Sequence, residues 1–283
     1  MLDKPRLFET DSIAISQCKH GPMMYFRNDV IIGKSLDVYG EFYESEIDLL
    51  RQFIQPHQVI VDVGANIGTH TIPFAKLLGG TGAVLAFEPQ RIVFNLLCAN
   101  VALNDLFNVR CLPNAVSDQP ATIAVPVVDM SAHSQNYGGI SLNQIAPQSD
   151  AVIAYRLDDL NLAACHLIKI DVEGMEARVL SGARQTIQKY RPVLFVESNQ
   201  VELASDINST LFEMGYQAWW FLCKNFNPNN FRGHADDVFQ SDYIESNLIA
   251  LPQEMYVEIP GLQKLLGVDD HCRSAINRAL GNS

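Results

Sequence analysis

Val59-Ile-Val-Asp62-Val-Gly64-Ala-Asn66-Ile-Gly68 decides the fold of this 283-residue chain: a short, continuously apolar run enters a glycine turn, and helical spacing follows. A run of that kind suits a strand buried on both faces, as in parallel sheets. The glycines let backbone approach a ligand closely, and the helix that follows presents its first N–H groups to it. A dinucleotide-binding turn would read G-x-G-x-x-G, whereas here Asn66 lies between Gly64 and Gly68, and Asp62 stands two positions before the first glycine. An acid there is awkward beside a pyrophosphate and favourable beside an ammonium group.

Working outward, residues 83–87, 109–112, 167–170 and 193–196 repeat the short apolar run, and 69–78, 91–103 and 173–189 carry apolar residues at helical intervals, such as Val93, Leu96, Leu97 and Val101. This alternation predicts an α/β fold with a doubly wound sheet. Upstream, two short strands around His20-Gly21-Pro22 and an amphipathic helix marked by Tyr43, Ile47, Leu50 and Ile54 form a cap over residues 1–58. The main domain is expected over 59–260 and a helical tail over 261–283. Residues 129–150 are polar and aperiodic, a long loop between strand-like 122–128 and 151–157. Late strands are expected at 216–222 and 248–251, with Trp219 and Trp220 filling the core rather than stacking on a ligand.

Lys and Arg total 20 against 32 Asp and Glu, a net charge of −12, which disfavours a nucleic-acid partner. The stretch after residue 200 carries 5 basic and 11 acidic residues, so half of the excess lies there. Hydrophobic residues make up 48% of the chain, and no segment is apolar enough for a membrane span. Six scattered cysteines, with no C-x-x-C and no histidine at metal spacing, suggest reduced, mostly buried thiols. Met1-Leu-Asp-Lys-Pro-Arg is too polar for the apolar region of a signal peptide, so a cytoplasmic protein is expected. A homodimer is compatible with this reading.

The second apolar strand ends in Ala86-Phe87-Glu88-Pro89, and an acid in that position commonly takes both hydroxyls of an adenosine ribose. A ligand with a ribose at one end and a cationic amino acid at the other is S-adenosylmethionine. Asp62-Val-Gly-Ala-Asn-Ile-Gly68, Ala86-Phe-Glu-Pro89, Leu157-Asp-Asp-Leu160 and Leu167-Ile-Lys-Ile-Asp-Val-Glu-Gly-Met-Glu176 resemble the successive signatures of the FkbM-type S-adenosylmethionine-dependent methyltransferases, over roughly residues 39–200. The resemblance implies a class I methyltransferase fold, Rossmann-like and mostly parallel, seven-stranded with one antiparallel strand. It also implies O-methylation of a hydroxyl on a sugar, glycan or natural product. By the same resemblance Asp62, Gly64, Ala65, Asn66, Gly68 and Thr69 hold the methionine end, Glu88 and Pro89 the ribose, and Ala115, Val116 and Ser117 the adenine. Asp171 lies by the sulfonium, and Tyr39 and Glu46 cover the cofactor.

Methyl transfer to oxygen needs an in-line approach and removal of a proton. Lys169 and Asp171 are two apart on one strand and share a face, while Glu173 follows at the strand end and Glu197 ends the next strand. Asp171, Glu173, Lys169 and Glu197 are therefore the catalytic candidates, with a carboxylate as base. Asp171 and Glu197 also admit a Mg²⁺ reading, like that of catechol-type O-methyltransferases, but Ser198 stands where that pattern wants an amide, and a metal-free base is preferred. His133 and Tyr137 in the long loop are secondary candidates for facing the acceptor. Two other classes remain open: a nicotinamide-dependent oxidoreductase, disfavoured by the missing G-x-G-x-x-G, and a non-catalytic module that binds the cofactor.

Overall fold

The computed structural model describes residues 6–127, 134, 136–139 and 148–281. An antiparallel sheet comes first, β1 (Arg6–Glu9), β2 (Ile13–Cys18) and β3 (Gly21–Phe26), followed by α1 (Ile32–Val38) and α2 (Glu44–Leu50). The alternating segment then runs β4 (Val59–Val63), α3 (Thr71–Leu77), β5 (Ala83–Phe87), α4 (Arg91–Leu103) and β6 (Val109–Leu112). A small side sheet follows, made of β7 (Ala115–Val116), β8 (Ala121–Pro126) and β9 (Ser149–Tyr155). The chain returns through β10 (Leu167–Ile170), α5 (Glu176–Gly182), α6 (Arg184–Tyr190), β11 (Val193–Glu197) and α7 (Ala204–Glu213). It finishes with β12 (Tyr216–Cys223), β13 (Glu245–Pro252), β14 (Gln263–Lys264) and α8 (Cys272–Leu280).

The main sheet is ordered β14-β12-β13-β11-β10-β4-β5-β6. The five strands from β11 to β6 are parallel, and β13 runs against both of its neighbours. The expected seven strands are present; the eighth, β14, adds a two-residue antiparallel edge beside β12 and extends the sheet past residue 260. Ile60, Val61, Ile168, Ile170, Leu194 and Val196 are fully buried, which is why their runs read as continuously apolar. Trp219 and Trp220 point to opposite faces of β12 and fill the cores on both sides, as the sequence suggests. All six cysteines are free thiols. Among the described residues no helix is long and apolar enough to cross a membrane.

The single helix expected over 173–189 is two helices broken at Ala183. Gly182 lies against the Ser117 backbone, where a Cβ would meet the carbonyl oxygen at 2.0 Å. Asp158, of the Leu157-Asp-Asp-Leu160 signature, accepts from the N–H groups of Gln185 and Thr186 at 3.1 and 2.8 Å and so starts α6 afresh.

The N-terminal sheet is fastened to the main domain through Asn100, buried in α4. Its amide accepts from Met24 N–H at 2.6 Å and donates to Met24 C=O at 3.0 Å and to Ile67 C=O at 2.8 Å. Removing those bonds leaves buried backbone groups unpaired. Asn100→Ala should therefore cost about 2–4 kcal/mol of stability, read by urea denaturation. A loss below about 0.5 kcal/mol would show that the cap does not depend on this side chain.

Candidate active site

In an open parallel sheet, ligands bind where the strand order reverses, and here that place lies between β4 and β10. The turn after β4 is tied to its neighbours on both sides. Gly64 and Ala65 donate their N–H groups to Phe87 C=O at 3.0 and 2.9 Å, and Asp171 N–H donates to Val63 C=O at 3.0 Å. Gly64 has φ +80°, and a Cβ there would lie 1.7 Å from the Asp171 carbonyl oxygen. The close approach that requires glycine is thus to the backbone of β10's end, and not to a ligand as the sequence suggests.

A cavity of about 820 Å³ opens above these strand ends, within the range of small-molecule sites. At one end lie Glu88, Pro89, Gln90, Asn114, Ala115 and Val116. The buried Glu88 carboxylate accepts from Asn66 N–H at 3.0 Å and from Gln90 N–H at 2.8 Å. Burial pushes it up to about 7 against the pull of those two amides. Gln90 Oε1 is buried without a hydrogen-bond partner among the described residues. Each Glu88 oxygen has a lone pair to spare, and Gln90 offers an unused acceptor, so this end fits a nucleoside that donates hydrogen bonds.

The middle of the floor is Lys169. It pairs in register with Asp62 across β4 and β10, and its ammonium lies 3.0 Å from Asp171 Oδ2 and 3.8 Å from Asp62 Oδ1. Burial alone would lower its pKa, but the charges of Asp171 and Asp62 outweigh burial and raise it. That favours the ammonium form of Lys169, a hydrogen-bond donor. Asp62 is fully buried, does not line the cavity, and accepts from Thr71 Oγ1 at 2.6 Å.

The other end is a rim of acids. Oxygens of Asp171, Glu173 and Glu197 lie within 4.8 Å of one another. Glu173 (φ +53°) and Gly174 (φ +102°) form a left-handed turn after β10. Glu176 fixes that turn by accepting from Val172 N–H and Gly174 N–H at 3.2 and 3.0 Å. The Glu173 carboxylate itself receives no hydrogen bond from the described residues. Burial, with the charges of Asp171, Glu176 and Glu245, pushes it up to about 8. Glu197 is raised well above the usual carboxylate range by burial, Asp171 and Glu173, and Glu245 reaches about 7 through burial and Glu46. Asn199 donates to Glu197 Oε1 at 2.6 Å and to Glu245, and its own oxygen accepts from Ser246 N–H at 2.8 Å. The acids are close enough to hold a divalent cation; the Asn199 amide oxygen accepts one hydrogen bond, and Ser198, which stands where a metal-binding pattern wants an amide, has its hydroxyl buried without a partner among the described residues.

Gly64, Ala65, Asn66 and Thr69 line the cavity; Gly68, Ser117, Tyr39 and Asp62 do not. Gly68 (φ +93°) closes the turn with its N–H on Ala65 C=O, and Ser117 is spent on Tyr155 C=O and Asp118. The Tyr39 hydroxyl donates to Asp236 C=O and accepts from Val238 N–H, so it anchors the 224–244 strap from outside the cavity lining. Glu46 does reach the cavity, paired with His70 at 2.9 Å and Asn247 at 3.0 Å. Tyr137 is fully buried, its ring 4.5 Å from that of Phe26, while His133 and most of the 129–150 loop lie outside the described residues.

Glu245, Gln90 and Tyr243 line the cavity without having been read from the sequence, and so does Tyr43, which the sequence marks only as a position of the cap helix. Tyr43 donates to Glu245 Oε2 at 2.8 Å. Glu245 carried a usable signal: it lies three positions before the apolar run 248–251, and an antiparallel strand brings its first residue to the edge where parallel strands end.

A family model described as the Methyltransferase FkbM domain matches residues 62–218. The curated protein "Methyltransferase sdnD" of Sordaria araneosa is 29% identical over 157 residues, covering 44% of this chain and 59% of that one. "Methyltransferase 1" of Beauveria bassiana (strain ARSEF 2860) is 29% identical over 143 residues, covering 44% and 57%. The chain thus spans less than two thirds of the length of the curated relatives it matches. Among solved structures, methyltransferase FkbM from Methylobacillus flagellatus KT aligns over 72% of this chain and 50% of its own, at 20% identity and a TM-score of 0.44. Precorrin-6y C5,15-methyltransferase from Geobacter metallireducens GS-15 aligns over 73% and 85%, at 14% identity and a TM-score of 0.47.

Proposed function

The chain belongs to the FkbM methyltransferase family, and from that premise we propose that it moves a methyl group from S-adenosylmethionine to a hydroxyl on a sugar, glycan or natural product. When bound, the donor supplies an electrophilic methyl; the protein's share is to position the acceptor, exclude water and take a proton. Glu88 and Gln90 are placed to hold the ribose and base, with Asn114, Ala115 and Val116 beside them. Ile31, Ile32 and Phe42 from the cap and Phe239 from the strap wall the cavity with apolar surface.

The observation that carries this reading is the Glu173 carboxylate, which lines the cavity from the turn after β10 and receives no hydrogen bond from the described residues. Glu173 would be the group that takes the acceptor's hydroxyl proton. Lys169 holds Asp171 as its charged partner, and Glu176 keeps the turn in place. The metal-free route rests on Ser198 standing where a metal-binding pattern wants an amide. Transfer within the cytoplasm to a small-molecule or glycan acceptor completes the proposal.

Incubation with S-adenosylmethionine and a panel of hydroxylated acceptors, followed by mass spectrometry, should reveal a methylated product. Donor binding without product across sugars, glycans and phenolic or polyketide alcohols would favour the non-catalytic module. Glu88→Ala should weaken S-adenosylhomocysteine binding by about 10- to 100-fold in calorimetry. Unchanged affinity in that variant would remove the ribose assignment.

A further inference from the structure

We propose that Lys169 binds the α-carboxylate of the methyl donor, and that Asp62, which the sequence alone assigns to the donor's ammonium, serves to hold Lys169 in position. This rests on the methyltransferase reading above. Asp62 is fully buried, and cannot meet a ligand across the side chains in front of it. One of its oxygens is held by Thr71 at 2.6 Å, and the other has no hydrogen bond among the described residues and lies 3.8 Å from the Lys169 ammonium. Lys169 is only 2% exposed, yet that exposure is to the cavity floor. Its ammonium has three N–H donors, of which Asp171 takes one at 3.0 Å and Gly64 C=O a weaker one at 3.5 Å. A third remains.

Lys34 is the other lysine or arginine among the described cavity residues, and it is committed elsewhere: it donates to Val238 C=O at 2.8 Å and lies over the Phe239 ring at 5.3 Å. The carboxylate of the donor's amino-acid end therefore has one lysine to meet on the floor beside the Gly64–Thr69 turn. A lone anion would be repelled there by Asp171 and Glu46, but the donor's amino-acid end is a zwitterion. With its ammonium toward those acids and its carboxylate on Lys169, every charge faces an opposite one.

The test is calorimetry with S-adenosylhomocysteine, its α-carboxamide, and methylthioadenosine, which lacks the amino-acid end. In the wild-type protein the carboxamide should bind about 10- to 100-fold more weakly than the acid. Lys169→Met combined with Asp62→Asn removes the buried pair together, so no uncompensated charge is left between those two positions. In that double variant S-adenosylhomocysteine should fall to the affinity of the carboxamide, with methylthioadenosine unchanged. Equal binding of acid and carboxamide to the wild type would overturn the assignment alone. So would a variant that loses S-adenosylhomocysteine and methylthioadenosine to the same extent, since Lys169 would then only support the fold. Failure of all three to bind the wild type would overturn the donor reading itself, and this assignment with it.

Discussion

Gly64→Ala is expected to destabilise the protein by about 3–5 kcal/mol and to abolish donor binding. The added methyl would sit 1.7 Å from the Asp171 carbonyl oxygen, on a residue whose φ is +80°. Neither side has room to yield, because Gly64 N–H is bonded to Phe87 C=O and Asp171 N–H to Val63 C=O. Relief would require parting the strand ends at the bottom of the cavity, which would displace Asp171 from Lys169 and Glu173 from the rim. Gly79 supplies the control: it has φ +62° and nothing within 4 Å of the place a Cβ would occupy, so Gly79→Ala carries the backbone cost without the collision. That variant should lose only about 1–2 kcal/mol. Urea denaturation of both proteins checks the difference, and equal losses would mean that the contact with Asp171 does not matter.

Glu173→Gln should lower kcat by about 10²- to 10⁴-fold while leaving S-adenosylhomocysteine affinity unchanged. A base works only when deprotonated, and Glu173 is pushed up to about 8 by burial and by Asp171, Glu176 and Glu245. Wild-type kcat/KM should therefore climb as pH rises through about 8 and level off above it, and the variant should lose that limb. Stability moves the other way. The folded-state value lies above the ordinary 4.5, so the fold favours the neutral acid; that contribution is full below about 4.5 and is lost as pH rises through about 8. At pH 9 the neutral glutamine should make the variant at least as stable as the wild type, which separates a catalytic loss from an unfolding one. Activity that fell in step with melting temperature would remove Glu173 from the role of base.

Much of this site is legible in the chain before it folds, for local reasons. The runs 59–63, 83–87, 109–112 and 167–170 match strands residue for residue; in the central β4 and β10 burial keeps most positions apolar, while the edge strand β6 leaves Arg110 exposed. A parallel strand delivers its final residue to one edge, so Asp171 and Glu197 could be placed at one rim from position alone, with Glu88 on the same edge of the sheet. Lys169 and Asp171 share a face because side-chain direction alternates along a strand. The misreadings have physical causes too. The family resemblance sets Tyr39 over the cofactor, whereas its hydroxyl is bonded to the backbone of Asp236 and Val238 and the residue does not line the cavity. The helical period through 173–189 is real, and the break at Ala183 arises from Gly182 meeting Ser117, a contact 65 residues distant in sequence.

The sequence by itself determined the sheet, the turn after β4 and the acids at the ends of the parallel strands, because periodicity and strand polarity are properties of neighbouring residues. Only the tertiary structure decided which charges meet. Register between β4 and β10 sets Lys169 beside Asp62, which is buried behind the cavity lining. The antiparallel pairing of β13 with β11 brings Glu245 to the same rim, where Tyr43, 202 positions earlier, reaches it. The energy of a buried charge depends on every partner within a few ångströms, and those partners come from strands whose pairing no local pattern specifies.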